Sequence, residues 1–221
     1  MDKYYNLLKR TPVFSGMDEA EIRGIVGKCS KGIRHYMPGE YILHSGDVTG
    51  SMGILLSAKA IVIKEDAWGN RNIMAKIGAG QIFAESFACA SGKELDVSVV
   101  AEGECDVLFL NIGEILSEEA DVNSAHIRLI RNIIYELANK NLNFNEKLSH
   151  MSCRSTKEKV ISYLSSVSKK CKSFEFDIPF DRQQLADYLS VERSALSAQL
   201  SELKKDGILD YRKNHFVLYM P

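Results

Sequence analysis

The 221-residue chain predicts an α+β fold in two parts, an N-terminal double-stranded β-roll with a long helix suited to dimerisation, then a C-terminal winged helix-turn-helix. Three observations carry that prediction. Between Gly32 and Leu110 short apolar alternation is cut by turn residues at the spacing of a small barrel or sandwich. After Leu110 the apolar period turns helical and holds for three heptads. Beyond residue 155 come three helices, two of them opened by capping pairs, and a hairpin.

Residues 4–30 read as short helices broken at Pro12 and Gly16, with Asp18 capping the run DEAEIRGIVGKC. The turns PGE (38–40), SGD (45–47), WGN (68–70) and GAG (78–80) then separate about eight strands. Gly32, Gly39, Gly46 and Gly53 recur every seven residues. They are expected at corners of the roll, where glycine tolerates positive φ.

Ile127, Ile130, Ile134, Leu137, Asn141, Phe144 and Leu148 recur at spacings of 3 and 4, which is an a/d seam. The helix carrying it is expected over about 113–148. A stripe this narrow suits a second helix, although it also suits packing on the chain's own domain. Asn141 at an a position favours the dimer, because a polar residue there fixes register and strand number. The segment HMSCRST has no period and marks a hinge, giving domains 1–148 and 149–221. Ser155 and Glu158 form a capping box for a helix carrying Val160, Ile161, Leu164 and Val167.

In the second domain Phe174, Phe176 and Ile178 alternate as a strand, and Asp181 with Gln184 caps RQQLADYL, whose Leu185, Ala186 and Leu189 face inward. The turn SVE leads into a helix from about Arg193 to Lys205 with the apolar stripe Leu196, Leu200 and Leu203. Arg193, Ser194, Ser197, Ala198 and Ser201 point the other way. Small residues on that face let a helix enter the major groove. Arg193 is the candidate for reading guanine through O6 and N7, or else for gripping a phosphate. Ser194, Ser197 and Ala198 complete the face, with Gln183 on the preceding helix. Lys204 and Lys205 lie at the helix end, solvated or only electrostatically helpful. After Gly207, ILDYRKNHFVLY reads as a hairpin, the wing, whose tip residues Arg212 and Lys213 are placed to meet phosphates.

Formal net charge is −1, unevenly divided: residues 149–221 hold 12 Lys+Arg against 9 Asp+Glu, which leaves 16 against 20 for residues 1–148. A basic C-terminal half suits contact with phosphates. The longest apolar stretch, Met52 to Ile63, is interrupted by Lys59 and is shorter than the roughly 20 residues of a membrane span. The opening MDKYYNLLKR lacks the order of a secretory signal, so a cytoplasmic protein off the membrane is expected. Cys29, Cys89, Cys105, Cys153 and Cys171 form no metal-binding spacing and are expected as reduced, mostly buried thiols. No metal motif, catalytic triad, paired-carboxylate site or phosphate-cradling loop stands out, so the chain is not expected to be an enzyme.

MPGEYILHSGD, GQIFAES, the seam helix and DRQQLADYLSVERSALSAQLSELKKDGIL together resemble the Crp/Fnr superfamily of bacterial transcription regulators over essentially the whole chain. The resemblance implies a cyclic-nucleotide-binding-like roll and a homodimer that clamps a roughly palindromic operator in double-stranded DNA and bends it. RNA polymerase is implied as a further partner. It also implies that an effector in the roll rotates the helix-turn-helix domains through the seam helix and hinge.

The family's cyclic AMP pocket uses a Gly-Glu pair and, about ten residues on, Arg-Ser. Glu85 followed by Ser86 matches the ribose-binding end, but Ala84 replaces the glycine, and Leu95 and Asp96 stand where arginine and serine grip the cyclic phosphate. An aliphatic side chain neutralises nothing and a carboxylate repels phosphate, so tight cyclic AMP binding is not expected and the effector is another small molecule. Lys140 and Asn141 match the positions that touch the base. They either recognise that molecule or, for Asn141, set register alone; Glu85 likewise either binds ligand or holds its own turn. Ala198 replaces an arginine that often contacts guanine, so the operator is expected to differ there. The family's iron-sulfur sensors group cysteines near the N-terminus, and the first 28 residues here have none. His35 and His44, the nearest candidates for a haem ligand, are expected as surface or turn residues. The competing function is a cyclic-nucleotide-binding regulatory module acting through protein contacts, which the helix-turn-helix argues against.

Overall fold

A computed structural model describes residues 2–65, 71–90, 92–117 and 123–219, so the WGN turn lies outside the described residues. The chain divides into two compact units, 1–138 and 139–221. In the first, α1 (Tyr5–Leu8) and a 3-10 turn (Pro12–Phe14) precede α2 (Glu19–Cys29). Asp18 and Glu21 cap α2 reciprocally: each backbone N–H donates to the other's carboxylate, at 3.0 and 2.9 Å. Ile22, Ile25, Val26 and Cys29 fall on one face of α2 and are buried.

Eight strands follow among the described residues: β1 (Ser30–Tyr36), β2 (Tyr41–Leu43), β3 (Ser51–Leu55), β4 (Lys59–Glu65), β5 (Arg71–Gly78), β6 (Ile82–Phe83), β7 (Ser98–Ala101) and β8 (Cys105–Asn111). They form two antiparallel four-stranded sheets, in the orders β1-β8-β3-β6 and β2-β7-β4-β5. The roll is double-stranded, as its alternation predicts. Leu55, Val107 and Phe109 from one sheet meet Ile42, Ile77 and Val99 from the other in a shared core. The opposite face of the first sheet, at Met52, Ile54, Leu108 and Leu110, packs on the helices. Strand alternation thus serves two cores at once.

Between β6 and β7 comes the short α3 (Glu85–Cys89); after β8 come α4 (Ile112–Ile115) and α5 (Ser124–Met151). The long helix begins at Ser124 rather than near 113, because α4 ends at Ile115 and a new helix starts where the Asn123 side chain accepts the His126 N–H at 2.9 Å. Within the first unit α5 buries Leu129 and Ile133, and the Asn132 amide donates to the carbonyls of Val13 and Ser15, both at 2.9 Å.

The second unit holds the remainder of α5, α6 (Thr156–Cys171), α7 (Arg182–Leu189), α8 (Arg193–Lys205) and a sheet ordered β10-β11-β9, from β9 (Glu175–Asp177), β10 (Leu209–Arg212) and β11 (His215–Leu218). Capping boxes at Ser155/Glu158 and Asp181/Gln184 start α6 and α7. The core joins Val160 and Leu164 to Leu185, Leu196, Leu200 and Phe216.

Two local expectations are corrected, and two side chains are placed that the sequence left open. Gly32, Gly39 and Gly46 have positive φ, but Gly53 is no corner: it lies inside β3 opposite Phe83, and a Cβ there would strike that ring. Only Cys29 and Cys105 of the five free thiols are buried, since Cys89 and Cys171 end short or solvent-facing helical turns. On α6 the inward position goes to Tyr163 while Ile161 is exposed. In the β9 segment Phe176 and Ile178 are buried, but Phe174 is half-exposed.

Candidate nucleic-acid interface

α7 ends at Ser190, whose left-handed backbone lets its own N–H and that of Val191 close back on the last turn, the latter to the Ala186 carbonyl at 3.0 Å. The chain is thereby turned within three residues into α8. Glu192 at the N-cap of α8 makes no side-chain cap, so the first N–H groups of α8 stay open to an anion, unlike those of α7.

Leu196, Leu200 and Leu203 put one face of α8 into the core. Arg193, Ser194, Ala198 and Ser201 are exposed on the other, and Ser197 is half-buried. Apart from Arg193 that face is small and uncharged. Arg193 shares a cleft of about 710 Å³ with Arg182, Gln183 and Lys213. Lys213 reaches it from the two-residue turn between β10 and β11, in left-handed backbone. Arg212 is exposed on the hairpin beside it. Three cations thus meet where the first helix, second helix and wing converge, while Ser194, Ser197 and Ala198 lie along the helix.

Arg182 was not singled out by sequence. It is half-buried, and its guanidinium lies 4.9 Å from the centre of the Tyr211 ring. Burial above all holds its pKa below the usual arginine value, with Tyr211 opposing and the Arg193 charge adding to the lowering. The available signal was a cation immediately after the N-cap of the first helix. Lys204 is engaged elsewhere, hydrogen-bonded to Asp210, which raises its pKa and lowers that of Asp210. Gln183 donates to Asp187 at 2.8 Å.

The candidate effector residues are arranged differently. Ala84 keeps the left-handed backbone (φ 60°) that suits glycine. Glu85 and Leu95 are 4% and 2% exposed, whereas Ser86 and Asp96 face solvent. Asp96 is paired with Lys64 at 3.1 Å, so its repulsion of a phosphate is weaker than sequence alone implied, although Leu95 still offers no charge. Lys140 and Asn141 lie in the other unit, exposed on α5, with Asn141 accepting from the Asn145 amide at 2.9 Å.

The seam residues split in two. Ile130 and Leu137 pack partly against the first unit's core, but Ile127, Ile134, Phe144 and Leu148 are exposed, Ile134 and Phe144 by 58% and 57%. His35 pairs with Asp106 at 2.8 Å on the roll surface and His44 stacks on Tyr41, which fits surface and turn histidines.

A β-roll with a long helix, followed by a winged helix-turn-helix with an open basic face, defines the class of DNA-binding transcription regulators. Residues 33–118 match the cyclic nucleotide-binding domain family and residues 158–220 the Crp-like helix-turn-helix domain. The transcriptional activator protein FnrL of Cereibacter sphaeroides is 22% identical over 197 residues, 84% of this chain and 75% of the relative. The c-di-GMP-responsive global regulator CLP of Xanthomonas campestris has a similar structure, with TM-score 0.62 and 18% identity over 92% of this chain and 100% of that one. The catabolite activator protein of Thermus thermophilus aligns with TM-score 0.55 and 20% identity over 94% of this chain and 93% of that one. The chain belongs to the Crp/Fnr superfamily, a family of transcription regulators and not of enzymes. Among the described residues no helix is long and apolar enough to cross a membrane.

Proposed function

We propose that the protein is a homodimeric regulator that reads a two-fold symmetric operator with α8 in the major groove and answers to a small molecule other than cyclic AMP. The observation that carries this is the exposed face of α8, small at Ser194, Ser197 and Ala198 and cationic at Arg193, beside a wing that adds Arg212 and Lys213. Homodimerisation is supported by α5: an exposed apolar stripe with heptad spacing calls for a matching stripe, and a second copy supplies one. Leu95 in the place of a phosphate-gripping arginine supports an effector other than cyclic AMP. CLP responds to c-di-GMP, so this fold is not tied to cyclic AMP. RNA polymerase is a further partner in this reading. Selecting bound fragments from a genomic DNA pool tests the proposal: a two-fold symmetric site is expected, and recovery of none, with and without cell extract, overturns it.

A further inference from the structure

Between α6 and the sheet of the second unit lies a cavity of about 570 Å³, within the range of small-molecule sites and far larger than a trapped water needs. Ile161, Ile208 and Leu218, partly exposed, form its apolar base with the shielded Leu164 and Leu209 behind them, while Phe174 and Tyr219 form a half-exposed aromatic rim. Its walls are tied by backbone hydrogen bonds: Leu218 N–H donates to the Phe174 carbonyl at 2.8 Å, Tyr219 N–H to Ile208 at 2.9 Å, and Ser173 N–H to Ser168 at 3.2 Å. Helix and strands therefore define the space.

Its charge has one sign. Lys169 and Lys172, both exposed, line it, and no Asp or Glu is among the described residues that do. It shares no lining residue with the cleft at Arg193.

We propose that this cavity binds a small amphiphilic anion: an apolar chain or ring ending in a carboxylate, sulfonate or phosphate. The apolar body leaves water for the apolar base and aromatic rim. The head stays at the mouth, where the two ammonium groups meet it without losing their own hydration. Leu209 and Leu218 are register partners at the root of the wing, so the ligand touches the hairpin whose tip carries Lys213.

Dodecanoate, kept below the onset of micelles, is the probe, titrated into the full-length chain with isoleucine and leucine methyl groups labelled for NMR. Saturable shifts are expected at Leu164, Leu209 and Leu218. Neutral dodecanol should bind about fivefold more weakly, and K169E with K172E should weaken dodecanoate by about the same factor while leaving the fold intact, since both side chains are exposed. Anionic phospholipid vesicles, which hold their chains in a bilayer, should leave these signals in place. The proposal is overturned by groove methyls that do not move with dodecanoate, by shifts confined to Ile127, Ile134 and Leu148 on α5, by equal affinity for dodecanol or for the double variant, or by a response to vesicles alone.

Discussion

The face of α8 and the turn around Glu85 are governed by different physics. On α8 one helical period sends Leu196, Leu200 and Leu203 inward and leaves Arg193, Ser194 and Ala198 outside. Around α3 neighbours in sequence diverge: Glu85 is buried and Ser86 exposed, Leu95 buried and Asp96 paired with Lys64 in solvent. The proposed duplex contact rests mainly on one helix face, with the wing beside it. A small ligand needs walls from several segments, and their directions are tertiary facts.

Helix α5 runs through both units, and disturbing it should give the largest effect. Ile134→Asp with Phe144→Asp places two carboxylates on the exposed stripe and should cost the dimer on the order of 4 kcal/mol, read as monomers in sedimentation. Dimers that persist would reject the seam. Next in size, Arg193→Ala should weaken operator binding by about 1–3 kcal/mol, roughly 5- to 150-fold, with unchanged melting because the side chain is exposed. Equal affinity in anisotropy titrations would show that exposure on α8 is not recognition.

At the other site, Ala84→Gly should raise the stability of the first unit by about 0.5–1 kcal/mol, because φ of 60° costs alanine more than glycine. An unchanged or lower melting temperature would mean that the turn relaxes without it.

Histidines then separate the two units by sign. Burial holds His150, 3% exposed, below the usual histidine range, with Lys170 adding to the effect and Glu146 opposing it. Its ring nitrogens reach the Ser162 and Ser166 hydroxyls and its ring meets Tyr163 edge-on, contacts that add to stability while the buried ring is uncharged. That contribution is complete above the unfolded value of 6.5 and is lost as pH falls through the depressed folded value. His35 is shifted upward by its bond to Asp106, so its contribution is present below 6.5 and lost as pH rises through the folded value, a small effect at an exposed site. His150→Gln should flatten the pH dependence of the second unit's melting below pH 6.5; identical slopes in both proteins would remove His150 as its source. The smallest effect is none: calorimetry with cyclic AMP should show no strong heat, and submicromolar binding would restore the phosphate grip denied to Leu95 and Asp96.

What was legible in the sequence had local causes. Asp18, Ser155 and Asp181 each cap a helix through a residue three positions on, and such pairs can be read without knowing the fold. The limits of α8 follow from its turn and its leucine spacing. Gly53 was misread because its neighbour across the sheet, Phe83, is thirty residues away in the chain. Arg182 escaped notice because only folding sets it over Tyr211 and in one cleft with Arg193.

By itself the sequence determined the kinds of elements, their order, the open face of α8 and the family, because helical and strand periods, capping and turn chemistry act over a few residues. Only the tertiary structure decided that Leu95 turns inward while Asp96 finds Lys64, that α5 has one apolar face buried and another bare, and that a cavity opens beside the wing. Those outcomes depend on which distant segments meet, and burial is a property of the meeting rather than of either segment.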